Sequence, residues 1–512
     1  MAALGFRGTL TQLLQARFPV LYVETFEEQR VFAEIAGVLA GWKTPRTLWH
    51  WSVTEGLHRS GTTPTRTSTD PAAALQVARE VSDSSVFVFA DLHAHLGDDS
   101  RPADPLIVRT LRDVVRDFRA GDLARTLIIV APILRIPPEL EKDVTIVDFR
   151  LPDERDVRGL LESMITQNQA VVRVLLDEAG RDRMTKAALG LTLAEAENAF
   201  ARAMVVDGSL TDRDVELVLA EKAQTIRKSG LLDLVDSDVG LTDVGGLGEL
   251  KVWLGKRRNA WLAEAAQYGL PAPKGVLITG VPGCGKSLTA KAAATAWGVP
   301  LIRLDIGKVF AGLVGASEHN MRSALATAEA SAPCVLWVDE IDKGFGAGSS
   351  DSGTNARVFG TLLTWMQEKT APVFVMATAN TIDHLPPEFL RKGRFDEIFF
   401  VDLPGDAERA EIWRLHLHRR LAAGPAAAMD YTDLLIADLA AASGGCSGAE
   451  IEQAVVAALF DAYSQRRPPA AADLFHAIES TVPLSVLQEA QVTALRDWAA
   501  LRAVNASSTA GP

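Results

Sequence analysis

Short apolar runs punctuate this chain at regular intervals, and each one stops at a polar or charged residue. In the second half the runs are Gly275-Val276-Leu277-Ile278-Thr279, Val335-Leu336-Trp337-Val338 and Val373-Phe374-Val375-Met376-Ala377-Thr378. In the first half they are Val20-Leu21-Tyr22-Val23, Val86-Phe87-Val88-Phe89-Ala90 and Leu127-Ile128-Ile129-Val130-Ala131. Continuous apolar runs of this length predict strands buried on both faces, as in a parallel sheet covered by helices. Helical stretches lie between and beyond them. Leu288 to Trp297 is Ala-rich, and Ala407–Leu421 and Ser447–Gln465 have helical spacing, with a loop after the first of these over Leu421–Met429. From about Pro483 to Val504, Leu484, Leu487, Val492, Leu495 and Trp498 predict a last helix that docks on a lid or a neighbour.

The loop after the first strand of the second half carries the strongest chemical signal. Gly280-Val281-Pro282-Gly283-Cys284-Gly285-Lys286-Ser287 fits the phosphate-loop pattern, between a strand and a helix. Its glycines let backbone N–H groups turn inward around a phosphate, and the helix N-terminus adds partial positive charge. Lys286 is expected to reach the β and γ phosphates, and the Ser287 hydroxyl to ligate Mg²⁺. About fifty residues on, an apolar strand ends at Asp339-Glu340. Asp339 is expected to hold the Mg²⁺ shell, and Glu340 to polarise the attacking water. The third strand leads to Asn380, an amide placed to stand between γ-phosphate and water. Beyond it Arg391 and Arg394 flank Gly393 and suit a fixed cationic clamp on a neighbouring subunit's site.

These motifs together resemble the classical clade of AAA ATPases over residues 241–482. Thr242-Asp243-Val244-Gly245-Gly246-Leu247 is similar to that clade's adenine-side loop, and Gly448-Ala449 lies in its lid motif Gly445–Ile451. The resemblance makes Asn380 the first sensor and Arg391 and Arg394 paired arginine fingers. It assigns nucleotide contacts to Val244, Gly245, Pro282, Gly283, Cys284, Gly285, Lys286, Ser287, Leu288, Gly448 and Ala449. It implies an α/β P-loop fold with a parallel sheet and helical lid, ATP and Mg²⁺ as cofactors, and a homo-oligomeric ring, commonly a hexamer, that remodels a protein partner. In the stretch that matches the pore loop, Leu313 and Val314 are expected to touch the substrate, and Leu313 is a departure. The clade's unfoldases place an aromatic where Leu313 stands, and leucine offers an extended polypeptide less area and no stacking. Either the ring grips weakly or it works without threading.

Residues 1–226 read as a degenerate copy of the same module. Its strands, an Ile136-Pro137-Pro138-Glu139 turn against Leu385-Pro386-Pro387-Glu388, and a lid stretch Leu193–Ala199 against Gly448–Ala454 recur in one order at a spacing of about 250 residues. The chemistry has gone. Thr25-Phe26-Glu27-Glu28 stands where a phosphate loop should follow the first strand. Those glutamates suit the helix macrodipole and repel a triphosphate. Asp91, matched to Asp339, is followed by Leu92 rather than a glutamate, and Leu140-Glu141-Lys142-Asp143 replaces the arginine pair. This half is expected neither to bind nor to hydrolyse ATP. The expected organisation is this module (1–226), a linker (227–240), the large ATPase subdomain (241–405), a helical lid (406–482), and a C-terminal helix with a disordered tail from about Asn505 (483–512). Over its whole length the chain also resembles an AAA family encoded as a hypothetical reading frame in algal chloroplast genomes and in cyanobacteria. That resemblance implies ATPase activity and a regulatory link to inorganic-carbon use.

Composition narrows the alternatives. The chain has 512 residues, 48% hydrophobic and 23% charged, which suits a protein of several domains. A net charge of −13 argues against a general nucleic-acid or anionic-membrane binder. Cys284, Cys334 and Cys446 are too few and too scattered for a disulfide framework or thiolate metal site, which points to a reducing cytoplasm. Cys284 reads as a small residue in a tight loop. No apolar run reaches the roughly 18–20 residues that span a bilayer, and no signal peptide is evident. His93 and His95 read as surface or interface histidines, and Trp42, Trp49 and Trp51 as packing residues.

Overall fold

The computed structural model describes residues 5–42, 44–64, 68–97, 101–228, 230–260, 265, 267–310, 316–345, 352–382, 386–391, 393–421, 429 and 431–507. The chain divides into two compact units, Met1–Met164 with Thr192–Asn198, and Ile165–Leu191 with Ala199–Pro512.

The first unit is built on strands β1 (Val20–Glu24), β2 (Thr47–Trp51), β3 (His58–Arg59), β4 (Ser85–Ala90), β5 (Thr126–Ala131) and β6 (Val144–Val147). Their order across the sheet is β3-β2-β4-β5-β1-β6, parallel except for β3. Successive side chains of a strand point to opposite faces. Tyr22, Phe87, Phe89 and Ile129 therefore enter one core with Trp51 and Phe118, while Leu21, Val23, Val86, Val88, Ile128 and Val130 enter the other with Val31 and Ile35. Both faces are buried, which is why the strands read as unbroken apolar runs. Of the tryptophans expected to pack, Trp51 stacks on Phe89 and Trp49 on Phe87, and the Arg46 guanidinium lies over Trp42.

In the second unit β7 (Arg173–Val174) pairs with β8 (Ser209–Leu210). The main sheet contains β9 (Leu232–Val235), β10 (Gly275–Gly280), β11 (Leu301–Leu304), β12 (Cys334–Val338), β13 (Val373–Ala379), β14 (Glu397–Val401) and β15 (Val504–Asn505), in the order β15-β14-β10-β13-β12-β11-β9. Only β9 runs antiparallel to its neighbour. Without the edge additions, β2-β4-β5-β1-β6 and β11-β12-β13-β10-β14 are the same arrangement: second, third, fourth, first and fifth strand of each module. Helices Asp406–Arg420, Asp433–Ala442, Gly448–Ser464 and Ala471–Glu479 pack around Trp413, Leu417, Leu439, Ile451 and Leu474 as a separate helical lid with its own core.

Three boundaries differ from expectation. The stretch read as a linker, 227–240, contains β9, whose Leu232 is buried in the ATPase core together with Ile226 from the preceding helix Asp214–Lys228. The helices Glu178–Ala188 and Asp214–Lys228 accordingly cluster with the second unit, so the compact units do not part at residue 226. At the other end the single expected helix is two, Leu484–Leu487 and Glu489–Arg502. Leu495 and Ala499 of the longer one enter the core of the large subdomain rather than the lid core. The expected disordered tail is ordered at its start. Val504 and Asn505 pair with Phe399 and Phe400, and Ala506 is buried, its carbonyl accepting from Leu250 N. An open sheet edge offers unpaired N–H and C=O groups, and this short segment covers it.

Candidate active site

The phosphate-loop sequence takes the shape its glycines permit. Gly280, Gly283 and Gly285 all have positive φ, and a Cβ on Gly280 would lie 2.0 Å from the Val401 carbonyl oxygen. Helix Lys286–Trp297 starts directly after Gly285, so its first N–H groups face the loop. Lys286 is buried, and its Nζ donates to the carbonyls of Gly280 (2.8 Å) and Val281 (2.9 Å). Burial pushes its pKa down to about 8. Burial also pushes the Cys284 thiol up to about 12, and its Sγ faces the Pro282 carbonyl. A thiol held neutral in this way is a space-filling residue of the turn. Pro282 within the loop and Leu288 directly after it are each half-buried.

The tips of β12 and β13 bring the expected carboxylates and amide against this loop. Ser287 Oγ donates to Asp339 Oδ1 at 2.9 Å. Thr378 Oγ1 donates to the same oxygen at 2.5 Å and accepts from Glu340 N at 2.9 Å. Asn380 Nδ2 donates to Glu340 Oε1 at 3.0 Å, and Lys343 ion-pairs with the other oxygen. Asp342 accepts from the backbone N–H groups of Asn380 and Thr381 and from the Thr381 hydroxyl, which fixes the strand exit. Glu340 adopts a left-handed φ of 49°, so its side chain leaves the strand in a constrained direction. Sequence reasoning did not single out Thr378, Asp342 or Lys343. The one available signal was a hydroxyl two residues before Asn380 in an otherwise apolar run.

The residues expected on the adenine side meet the lid. Val244 is buried, and a Cβ on Gly245 would lie 2.5 Å from Ile412 Cγ1 of helix Asp406–Arg420. Glu411 accepts from Gly246 N (2.8 Å) and Glu408 from Leu247 N (3.1 Å), tying this loop to the lid helix. The N-terminus of helix Gly448–Ser464 closes on the phosphate loop: Ala449 N donates to Gly283 O at 3.0 Å, and a Cβ on Gly448 would lie 3.7 Å from Ile412 Cδ1. Beside it Thr242, Val244, Lys251, Arg414 and Tyr431 line a cavity of about 420 Å³. Ile412 was absent from the sequence reading.

Arg391 is exposed, and Arg394 donates to the Glu388 carbonyl. Among the described residues neither arginine bonds to the Lys286–Asn380 group of its own chain. Leu313 and Val314 lie outside the described residues.

The first module shows how its version of the site differs. Phe87 pairs with Leu127 and Leu127 with Val20, as Leu336 pairs with Val375 and Val375 with Gly275. With Phe87 set opposite Leu336, as the shared left-handed turn at the strand exit requires, Asp91 matches Glu340 and not Asp339. Both have positive φ, 55° and 49°, at the same strand exit. Ala90 therefore stands where Asp339 would, and Val130 where Thr378 would. The alignment of Asp91 with Asp339 is corrected by one residue, and the carboxylate missing from this half is the counterpart of Asp339. Near Asp91, His93 Nδ1 lies 3.6 Å from its Oδ1.

Family models match this chain in three segments. Residues 6–149 match the N-terminal domain of SpoVK-like AAA ATPases, 155–229 their second domain, and 276–403 the AAA family of ATPases associated with various cellular activities. The AAA domain-containing protein ycf46 of Guillardia theta is 36% identical over 500 residues, covering 97% of this chain and 95% of its own length. Its counterpart in Pyropia yezoensis is 35% identical over 511 residues, covering 99% and 100%. The chain belongs to the ycf46 family of AAA proteins. A more distant likeness, 28% over 367 residues, is to Protein SAV of Sulfolobus acidocaldarius, covering 65% of this chain and 44% of that one. As an AAA ATPase of the ycf46 type the chain hydrolyses ATP, and the parallel sheet with a P-loop at its central strand is the expected AAA core. No helix among the described residues is long and apolar enough to cross a membrane.

Proposed function

We propose that this ATPase works as a homo-oligomeric ring, commonly six subunits in its clade, that converts ATP hydrolysis into remodelling of a protein partner. The observation that carries the reading is the unbroken chain of bonds from Ser287 through Asp339 and Thr378 to Glu340 and Asn380, set against a phosphate loop that also touches the lid. Lys286 exchanges its two loop carbonyls for phosphate oxygens, which form stronger charge-assisted bonds. The Ser287 hydroxyl and the Asp339 carboxylate present adjacent hard oxygen donors, the kind Mg²⁺ takes. Bound there, Mg²⁺ would neutralise phosphate charge. Glu340 orients and polarises the attacking water, and Asn380 holds that carboxylate in place. Arg391 and Arg394 act on the next subunit's site. The lid feels the nucleotide through the contacts of Ala449 with Gly283 and of Glu408 and Glu411 with the adenine-side loop.

A second reading is favoured by Leu313: a nucleotide-gated assembly protein that recruits its partner without pulling on it. Glu340→Gln separates the two. Under remodelling, kcat falls about 10²–10⁴-fold, ATP stays bound, and the partner is trapped and unprocessed. If partner function survives without turnover, assembly alone is the task. If kcat is unchanged, Glu340 is not the base.

A further inference from the structure

The segment that replaces the phosphate loop in the first module has acquired a bonding pattern of its own. Three residues, Thr25 to Glu27, separate β1 from helix Glu28–Ala40, where five, Val281 to Gly285, separate β10 from its helix. The shorter segment leaves no room for a phosphate cradle. In its place stands one buried carboxylate. Glu27 Oε2 pairs with Arg30 at 2.6 Å, and Glu27 Oε1 accepts from Leu193 N at 2.8 Å. The Glu27 side chain is only 6% exposed.

Leu193 opens helix Leu193–Asp207. Thr192 just before it caps that helix through Glu195, accepting and donating as Ser447 does with Glu450 in the second module. The N-termini of two helices, Glu28–Ala40 and Leu193–Asp207, thus converge on the Glu27 carboxylate. Helix Glu28–Ala40 starts directly after Glu27, and only Leu193, at the start of the other helix, gives the carboxylate an N–H, so Glu27 lies beside two helix ends of partial positive charge. The matching lid helix of the second module reaches instead for a phosphate-loop carbonyl, Gly283 O.

Arg30 completes the arrangement from the other side. It donates to the Arg150 carbonyl (2.8 Å) and to Asp156 (3.3 Å), and its guanidinium lies 4.6 Å from the centre of the Phe149 ring. Residues 149–156 carry the chain out of the sheet after β6 into helix Glu154–Asn168. One ion pair therefore grips both places where sheet and following helices exchange chain: the exit at 149–156 and the returning N-terminus at Leu193. A buried carboxylate bonded this fully is costly to expose without its partners, so the grip is stiff.

We propose that Glu27 and Arg30 form an internal clasp that takes the place of nucleotide in the first module and holds the start of helix Leu193–Asp207 against β1 and the exit at 149–156 whether or not ATP is present. The clasp leaves nucleotide-dependent change to the second lid, whose Ala449 N–H bonds directly to the phosphate-loop carbonyl of Gly283.

Amide hydrogen exchange on the full chain, with and without ATPγS and Mg²⁺, tests this. In the wild type Leu193 N–H exchanges slowly and within twofold of the same rate in both conditions, while Ala449 N–H changes on adding nucleotide. Glu27→Gln keeps the shape and removes the charge, and it speeds exchange at Leu193 about tenfold or more, the loss expected for one charge-assisted bond. Arg30→Gln shifts it in the same direction. Nucleotide-dependent exchange at wild-type Leu193 overturns the proposal, as does a wild-type exchange rate at Leu193 in Glu27→Gln. Should the Glu27 variant fail to fold, the wild-type comparison of Leu193 with Ala449 still decides it.

Discussion

Two modules of this chain share one strand order, yet only in the second do Ser287, Asp339, Thr378, Glu340 and Asn380 form a continuous polar network at the strand tips. The difference lies in a handful of positions at the strand tips. The sheets persist because their stability comes from alternating burial on two faces, which many apolar residues satisfy. The chemistry at the tips depends on single polar groups. Ala90, Val130 and the shortened Thr25–Glu27 segment each remove one of them without disturbing the core. A fold of this kind tolerates changes at its strand tips far more easily than the loss of a strand.

Substitutions at matched positions can break that comparison. The largest effect is expected from Arg391→Ala, since the first module has Leu140–Asp143 in that region. Nucleotide affinity stays the same while kcat falls about 10³–10⁵-fold. Titrating the variant with a Glu340→Gln protein restores part of the hydrolysis at mixed interfaces, and absence of rescue in a coupled ATPase assay argues against action between subunits.

Thr378→Val installs the residue that the first module has at Val130. It leaves Asp339 one donor short and the Glu340 N–H without its acceptor. Steady-state kinetics should show kcat lowered about 10–100-fold, as for a lost buried bond, with Thr378→Ser recovering most of the rate.

Lys222→Met examines the helix Asp214–Lys228, which belongs with the ATPase unit rather than with the first module's sheet. Burial pushes the Lys222 pKa down to about 8. At pH 7 folded and unfolded chains both hold the proton, and the folded chain bears the full cost. The variant is therefore more stable at pH 7, by about 1–3 kcal/mol in denaturant titrations. As pH rises from about 8 towards 10.5, the wild type sheds the proton in the folded state first, and the advantage shrinks. An advantage that grows with pH would contradict this. The smallest effect belongs to Asp91→Asn. The ATPase rate should stay within about twofold, because surface changes away from such networks seldom exceed ~0.5 kcal/mol, and a larger loss would return chemistry to the first module.

The strongest features were legible in the chain because they are local. A phosphate loop with Lys286-Ser287 needs only its own glycines and the helix that follows, so its shape is written in consecutive residues. The matching order of apolar runs likewise exposed the second copy of the fold. The one-residue error at Asp91 arose where sequence offered only a strand end. Which residue leaves the strand in a left-handed turn is decided by the folded backbone, with φ 55° at Asp91 and 49° at Glu340. Thr378 and Ile412 escaped notice because a hydroxyl in an apolar strand and an isoleucine in a helix have unremarkable local patterns. Their meaning comes from Asp339 and Gly245, which the fold brings beside them.

The edges follow the same rule. Leu232–Val235 and Val504–Asn505 are too short to announce themselves as strands, and they become strands because β11 and β14 present open edges. Glu27 read as a residue hostile to phosphate, and the sequence could not show that Arg30 and the N–H of Leu193 had been placed to receive its charge. The amino-acid sequence by itself determined the two sheets, the nucleotide loop and the family, since periodicity and short motifs act over neighbouring residues. Tertiary structure alone decided where the units divide, which side chains complete the network and what fills the first module's loop. Those outcomes depend on contacts between residues far apart in the chain, whose partners no local pattern names.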